Sequence, residues 1–124
     1  MSWIITVKVP YAQPVIDRSR SGLRIAGGSL LSPGSYEANV GDSYEVTCVV
    51  TSETEGRIMT AVFLNGEVVQ SWEDTISAGG SVSHTYTGTF DRPSSEVGAY
   101  EISIATYRWD PSRSQYVKSD EYGC

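Results

Sequence analysis

Histidine occurs once in this 124-residue chain, cysteine twice and lysine twice, and no apolar run approaches membrane-spanning length. Each shortage removes a class of function. Cys48 and Cys124 have neither CxxC nor Cys/His spacing, so no metal site and no disulfide-rich scaffold are expected. Two lysines in a chain of net charge −6 argue against nucleic acid as a partner. "WIITV" near the start is too short for a signal segment and lacks a basic flank, and nothing else is long enough for membrane insertion. Helical periodicity is also missing. At this length a single domain, 1–124, can bury a core without metal or disulfide help.

What the chain does have is strand pattern. "SWIITVKV" at residues 2–9 is rich in β-branched residues and reads as a first strand, interrupted by Pro10 and Pro14. Residues 10–36 mix proline, glycine and serine with scattered apolar residues, an irregular segment with one short strand expected at 22–31. Charge divides at the same place. Residues 1–36 carry Lys8, Arg18, Arg20 and Arg24 against Asp17, a sum of +3, which leaves −9 for the remainder: a basic arm on an acidic body.

From Gly41 onward alternation is clean. "SYEVTCVVT" puts Tyr44, Val46, Cys48 and Val50 on one face. "RIMTAVFLNGEVVQSW" carries Asn65-Gly66 between two apolar runs, the strongest short hairpin signal, because both turn residues must accept positive φ. "VSHTYTGTF" alternates Val82, His84 and Tyr86 with a row of hydroxyls, and "AYEISIATYRW" is turned by "DPSRSQ" into "YVKSDEY". Seven to eight strands with short turns indicate an all-β antiparallel sandwich in two sheets.

Glu96-x-Gly98-x-Tyr100 stands at the entry to the penultimate strand, where immunoglobulin-like domains place the tyrosine corner. The chain resembles that family here, which implies that the Tyr100 hydroxyl bonds to backbone near Glu96. The resemblance also aligns Cys48 and Ile102 with the two core cysteines, so the disulfide is absent and Cys48 packs as a small apolar side chain. The usual core Trp is missing from "MTAVFL", unlike antibody domains. "VGDSYEVTC", "FLNGEVV", "ISAGGSVSHTYTGTF" and "VGAYEISI" are more similar to bacterial and archaeal adhesion-related immunoglobulin-like and fibronectin-III-like modules. That likeness implies an extracellular, cell-surface or virion setting.

Catalytic constellations are scarce. Ser83 and Asp91 lie near His84 in sequence, but strand alternation points Ser83 to the opposite face, and His84 reads as a core-edge histidine satisfied by a hydrogen bond. Glu53 with Glu55, and Glu73 with Asp74, lack calcium-loop spacing and read as solvated turns. "RSRSGLR" suits either an acidic partner or an arm lying on the acidic body. No catalytic residue and no cofactor are expected.

The informative excess is apolar. If Tyr100, Ile102 and Ile104 face the core, Ala105, Tyr107 and Trp109 face outward, and by the same parity so do Met59, Ala61 and Phe63, with Tyr116 beside them. Either residues 10–36 fold across this face, or it is open to a partner or a second copy of the chain. The expected function is a non-catalytic binding or assembly module mediating protein–protein interaction or homo-oligomer formation. A glycan-binding accessory module and a viral decoration protein are the alternatives.

Overall fold

The computed structural model describes residues 2–6 and 13–123. Eight strands run in order as β1 (Val15–Ile16), β2 (Gly22–Ile25), β3 (Ser43–Ser52), β4 (Gly56–Leu64), β5 (Glu67–Ile76), β6 (Gly80–Thr89), β7 (Ile102–Asp110) and β8 (Gln115–Tyr122). One helical turn, α1 (Ser94–Val97), precedes β7. All pairings are antiparallel. In the first sheet β3 is flanked by β6 on one side and by β1 and β2, end to end, on the other. The second sheet has the order β5–β4–β7–β8. The architecture is an all-β sandwich.

Alternation decides which side chains meet between the sheets. Tyr44, Val46, Cys48 and Val50 of β3 are all buried, and they join Ile16, Val62, Phe90 and Ile104 in the core, with Ile58 and Ile76 near one end. Cys48 is fully buried as a free thiol. The Tyr44 ring stacks on Phe90 at 4.6 Å and lies over Gly88, its partner on β6. A Cβ at residue 88 would collide with that ring, so the glycine makes room for the aromatic core. Trp72 of β5, partly buried, packs against this cluster.

The two flanks of the sandwich close differently. On the β5/β6 side Trp72 stacks on His84 at 4.6 Å with an interplanar angle of 3°, and His84 Nε2 lies 2.7 Å from Asp74 Oδ2. On the other side β1 is fastened to β8. The Ile16 amide donates to Asp120, Arg18 forms a bidentate pair with it at 3.0 and 3.1 Å, and Ser119 donates to the Pro14 carbonyl at 2.7 Å.

Several expectations are corrected. Residues 2–6 form no strand, and the rest of the anticipated first strand, like Cys124, lies outside the described residues. The strand foreseen at 22–31 is a short β2 that folds back through a bridge between Leu23 and Leu31. Asn65 and Gly66 take φ of 52° and 82°, as the hairpin requires. Tyr100 does bond to backbone, but to Arg92 rather than near Glu96: its hydroxyl donates to the Arg92 carbonyl at 2.8 Å. The reason is local. Residues 94–97 coil into α1, the Gly98 amide donates to the Ser94 carbonyl, and Gly98 at φ 79° redirects the chain, which brings Tyr100 back beside Arg92.

Candidate interaction face

Opposed residues of antiparallel strands point to the same side, so the pairing of β4, β7 and β8 defines the outer face of the second sheet. Met59 stands opposite Tyr107, Ala61 opposite Ala105 and Phe63 opposite Ser103, while Trp109 stands opposite Tyr116. The sheet therefore brings Met59, Phe63, Tyr107, Trp109 and Tyr116 onto one surface. Ala61 and Ala105, opposite one another at its centre, are buried although they face outward. Met59, Phe63 and Tyr107 are half-buried.

Residues 13–36 do not cross this face. β1 and β2 pair with β3 in the opposite sheet, and Leu23 and Ile25 pack into the core from there. The Arg-rich stretch also has an internal role: Arg18 holds Asp120 and lies over the Tyr122 ring at 5.1 Å, and Arg20 pairs with Asp17 at 2.6 Å. Among the described residues, no strand or helix lies over the outer face.

One end of the face is organised by Arg57. Its guanidinium sits 4.4 Å from the Trp109 ring centroid and 5.5 Å from that of Tyr116, and its Nε donates to the Tyr116 hydroxyl at 2.9 Å. That hydroxyl donates in turn to Glu73 at 2.9 Å, and the two aromatic rings meet edge to face at 5.1 Å. Partial burial, then the bond to Glu73, raises the Tyr116 pKa above the ordinary phenol value. A short chain of charge and hydrogen bonds thus locks two large aromatics in place on the sheet surface.

Reading the sequence had not found Arg57, Glu73 or Val68 as part of this surface. Val68, 54% exposed, pairs with Phe63 and extends the apolar area to the sheet edge. The Asn65-Gly66 turn was the signal that could have found it, since a two-residue loop places Glu67 opposite Leu64 and Val68 opposite Phe63. Glu73 and Asp74 are not in a turn but adjacent on β5, so one points outward to Tyr116 and the other inward to His84.

Ser83 pairs with Val49 and His84 with Cys48, which puts serine and histidine on opposite faces of β6. Among the described residues no cluster of three metal-ligating side chains forms. Ile102 is half-buried against the core, and Gly98, Tyr100, Asn65 and Gly66 serve turns rather than a surface site.

No protein-family model matches the chain, and no curated protein matches it. Among solved structures, the sporulation control protein Spo0M of Bacillus subtilis is similar at 14% identity with a TM-score of 0.39. The match covers 82% of this chain, which spans only 46% of that one.

Proposed function

We propose that this protein is a non-catalytic binding or assembly module of the immunoglobulin-like, fibronectin-III type, which engages a protein partner through the outer face of the second sheet. The observation that carries the reading is the apolar row of Met59, Phe63, Tyr107 and Val68, joined to the Arg57, Trp109 and Tyr116 group and left uncovered by residues 13–36. Outer faces of antiparallel sandwiches are ordinarily polar, and apolar surface rimmed by Arg, Tyr and Trp is the usual make-up of a protein contact. The sandwich type is supported by the strand orders and by the Tyr100 bond at the entry to β7. Placement at a cell or virion surface rests on the resemblance of residues 40–105 to adhesion-related modules.

A protein partner fits better than a glycan. Sugar platforms present an open aromatic ring, whereas the Trp109 ring is covered by Arg57 and its neighbour Tyr116 is tied to Glu73. The test places a photo-crosslinking side chain at Tyr107 in cells of the source organism. A protein adduct that disappears when Phe63→Asp is added supports the reading, provided the melting temperature is retained. Absence of any adduct, or glycan-array binding lost on Trp109→Ala, would overturn it in favour of a solvent-facing sheet or a carbohydrate module.

A further inference from the structure

At the edge of the first sheet β2 supplies only four residues, after which the chain turns back through the Leu23 to Leu31 bridge and forms no further strand until β3. A groove of about 830 Å³ opens there. Leu23, Ile25 and Val46 line it from the first sheet, and Ile102, Ile104 and Tyr122 from the second, so its apolar walls are continuous with the core. Residues 32–40 make a third wall. They form a strap tied to the body at both ends, where the Leu31 amide donates to the Leu23 carbonyl at 2.8 Å and the Gly41 amide to the Phe90 carbonyl at 2.7 Å. Between those ties the strap bonds to its own neighbourhood: the Tyr36 hydroxyl donates to the Ser32 carbonyl and the Asn39 amide to Asp42. Its larger apolar side chains stay in water, Tyr36 being 49% and Val40 59% exposed. Trp3, Ile4 and Ile5 are exposed as well, so the described part of the amino-terminal segment does not fill the groove.

We propose that this groove is a binding site for an uncharged, largely apolar small molecule. Its volume lies within the range of roughly 300–1,000 Å³ that holds drug-sized ligands, and apolar walls with a few polar groups at the mouth are what such sites have in common. Half-buried Leu23, Ile25, Ile102 and Tyr122 gain most from an occupant, because it would take their remaining apolar surface out of water. Charge selects the ligand class. Arg92 and Glu101 both line the groove, and neither charged end has an ion-pair partner among the described residues. Opposite charges cancel at the rim, and the chain as a whole carries −6, so an anionic ligand meets no net attraction while an uncharged one gives up nothing. A small molecule also suits the shape, since a strap along the third side narrows the approach of a folded partner to the floor. The inference does not rest on the interaction face above, which is the outer side of the second sheet, whereas the groove lies between the sheets.

Fluorescence titration of the full chain with N-phenyl-1-naphthylamine, an uncharged apolar probe, is the test, with its sulfonated relative 1-anilinonaphthalene-8-sulfonate as the charged comparison. The uncharged probe is expected to bind saturably and the sulfonate more weakly. Methyl resonances of Leu23, Ile25, Ile102 and Ile104 should shift on addition of the uncharged probe, while those of Ile58 and Ile76, in the separate cluster, stay in place. Leu23→Gln, which makes one wall polar, should weaken the uncharged probe about tenfold, a change of about 1.4 kcal/mol. Ala99→Trp should weaken it by taking up space at the groove, and because Ala99 is exposed this variant remains informative if Leu23→Gln lowers the melting temperature. Absence of saturable binding to the full chain overturns the proposal, and binding that appears only in Trp3→Asp/Ile5→Asp would give the groove to the chain's own amino-terminal segment instead. Equal or tighter binding of the sulfonate overturns the ligand class. Binding indifferent to both groove variants, or lost on Phe63→Asp, would place the probe elsewhere and overturn the site.

Discussion

Two hydroxyls of this protein, one partnered near the surface and one unpartnered in the core, should respond oppositely to removal. Tyr100 donates to the Arg92 carbonyl, and Tyr100→Phe should lower unfolding stability by about 1 kcal/mol, the net worth of one such bond. Thr60 faces the core fully buried with no partner for Oγ1 among the described residues, so Thr60→Val should raise stability by about 1 kcal/mol. Urea titration of both variants checks the pair, and a shift of the same sign in each would contradict the argument. Cys48 adds a pH dependence. Burial pushes its thiol from 9.0 up to about 12, so the folded state holds it neutral while the unfolded chain ionises. The stability this gives is complete below about pH 9 and is lost as pH rises toward 12. Tyr44 titrates in the same direction, so the wild type should lose stability over this range more steeply than Cys48→Ala, yet not be the sole contributor. Thermal melts from pH 8 upward are the measurement.

At the scale of an element, β1 is the instructive case. Two residues of strand form few ladder bonds, and the segment is held in addition by the Asp120 carboxylate, by Ser119 on the Pro14 carbonyl and by Asp17 and Ser21 on Val49. Burial acts to raise the Asp120 pKa, but the Arg18 guanidinium and the Ile16 amide outweigh it and hold the group below its ordinary value of 3.8. A depressed carboxylate contributes stability above the unfolded pKa and loses it as pH falls through the folded one, so this fastening should weaken only below about pH 3.8. Arg18 is half exposed, which limits the ion pair itself, yet the part-buried amide bond remains. Asp120→Ala should therefore cost about 1 to 2 kcal/mol and make the bonds after Arg18 and Arg20 open to trypsin. Unchanged proteolysis would mean that the ladder to Thr51 and Val50 suffices without the carboxylate.

For the whole molecule, both sheets contribute to one core, and the central strands β3, β4 and β7 supply most of it. Native-state hydrogen exchange should show these three opening only with global unfolding, while residues 32–40, all exposed, exchange fast. Fluorescence of Trp72 in the core flank and far-ultraviolet dichroism should follow one transition. Separate midpoints would indicate that the sheets unfold independently.

Alternation is a local property of the chain, and it determined the strands from β3 to β8, the Asn65-Gly66 hairpin, the burial of Cys48 and the parity that puts Met59, Phe63, Tyr107 and Trp109 on one outer face. A period of two states which side a residue faces, whatever its neighbours turn out to be. Neighbours were decided by tertiary structure. The bond from Ile16 to Asp120 spans 104 residues, and Arg57 reaches Tyr116 across 59, so no window of sequence holds both partners. The same holds for the choice of sheet by residues 13–36: their apolar residues would suit either face, and pairing with β3 takes them into the core side of the first sheet and away from the outer face of the second.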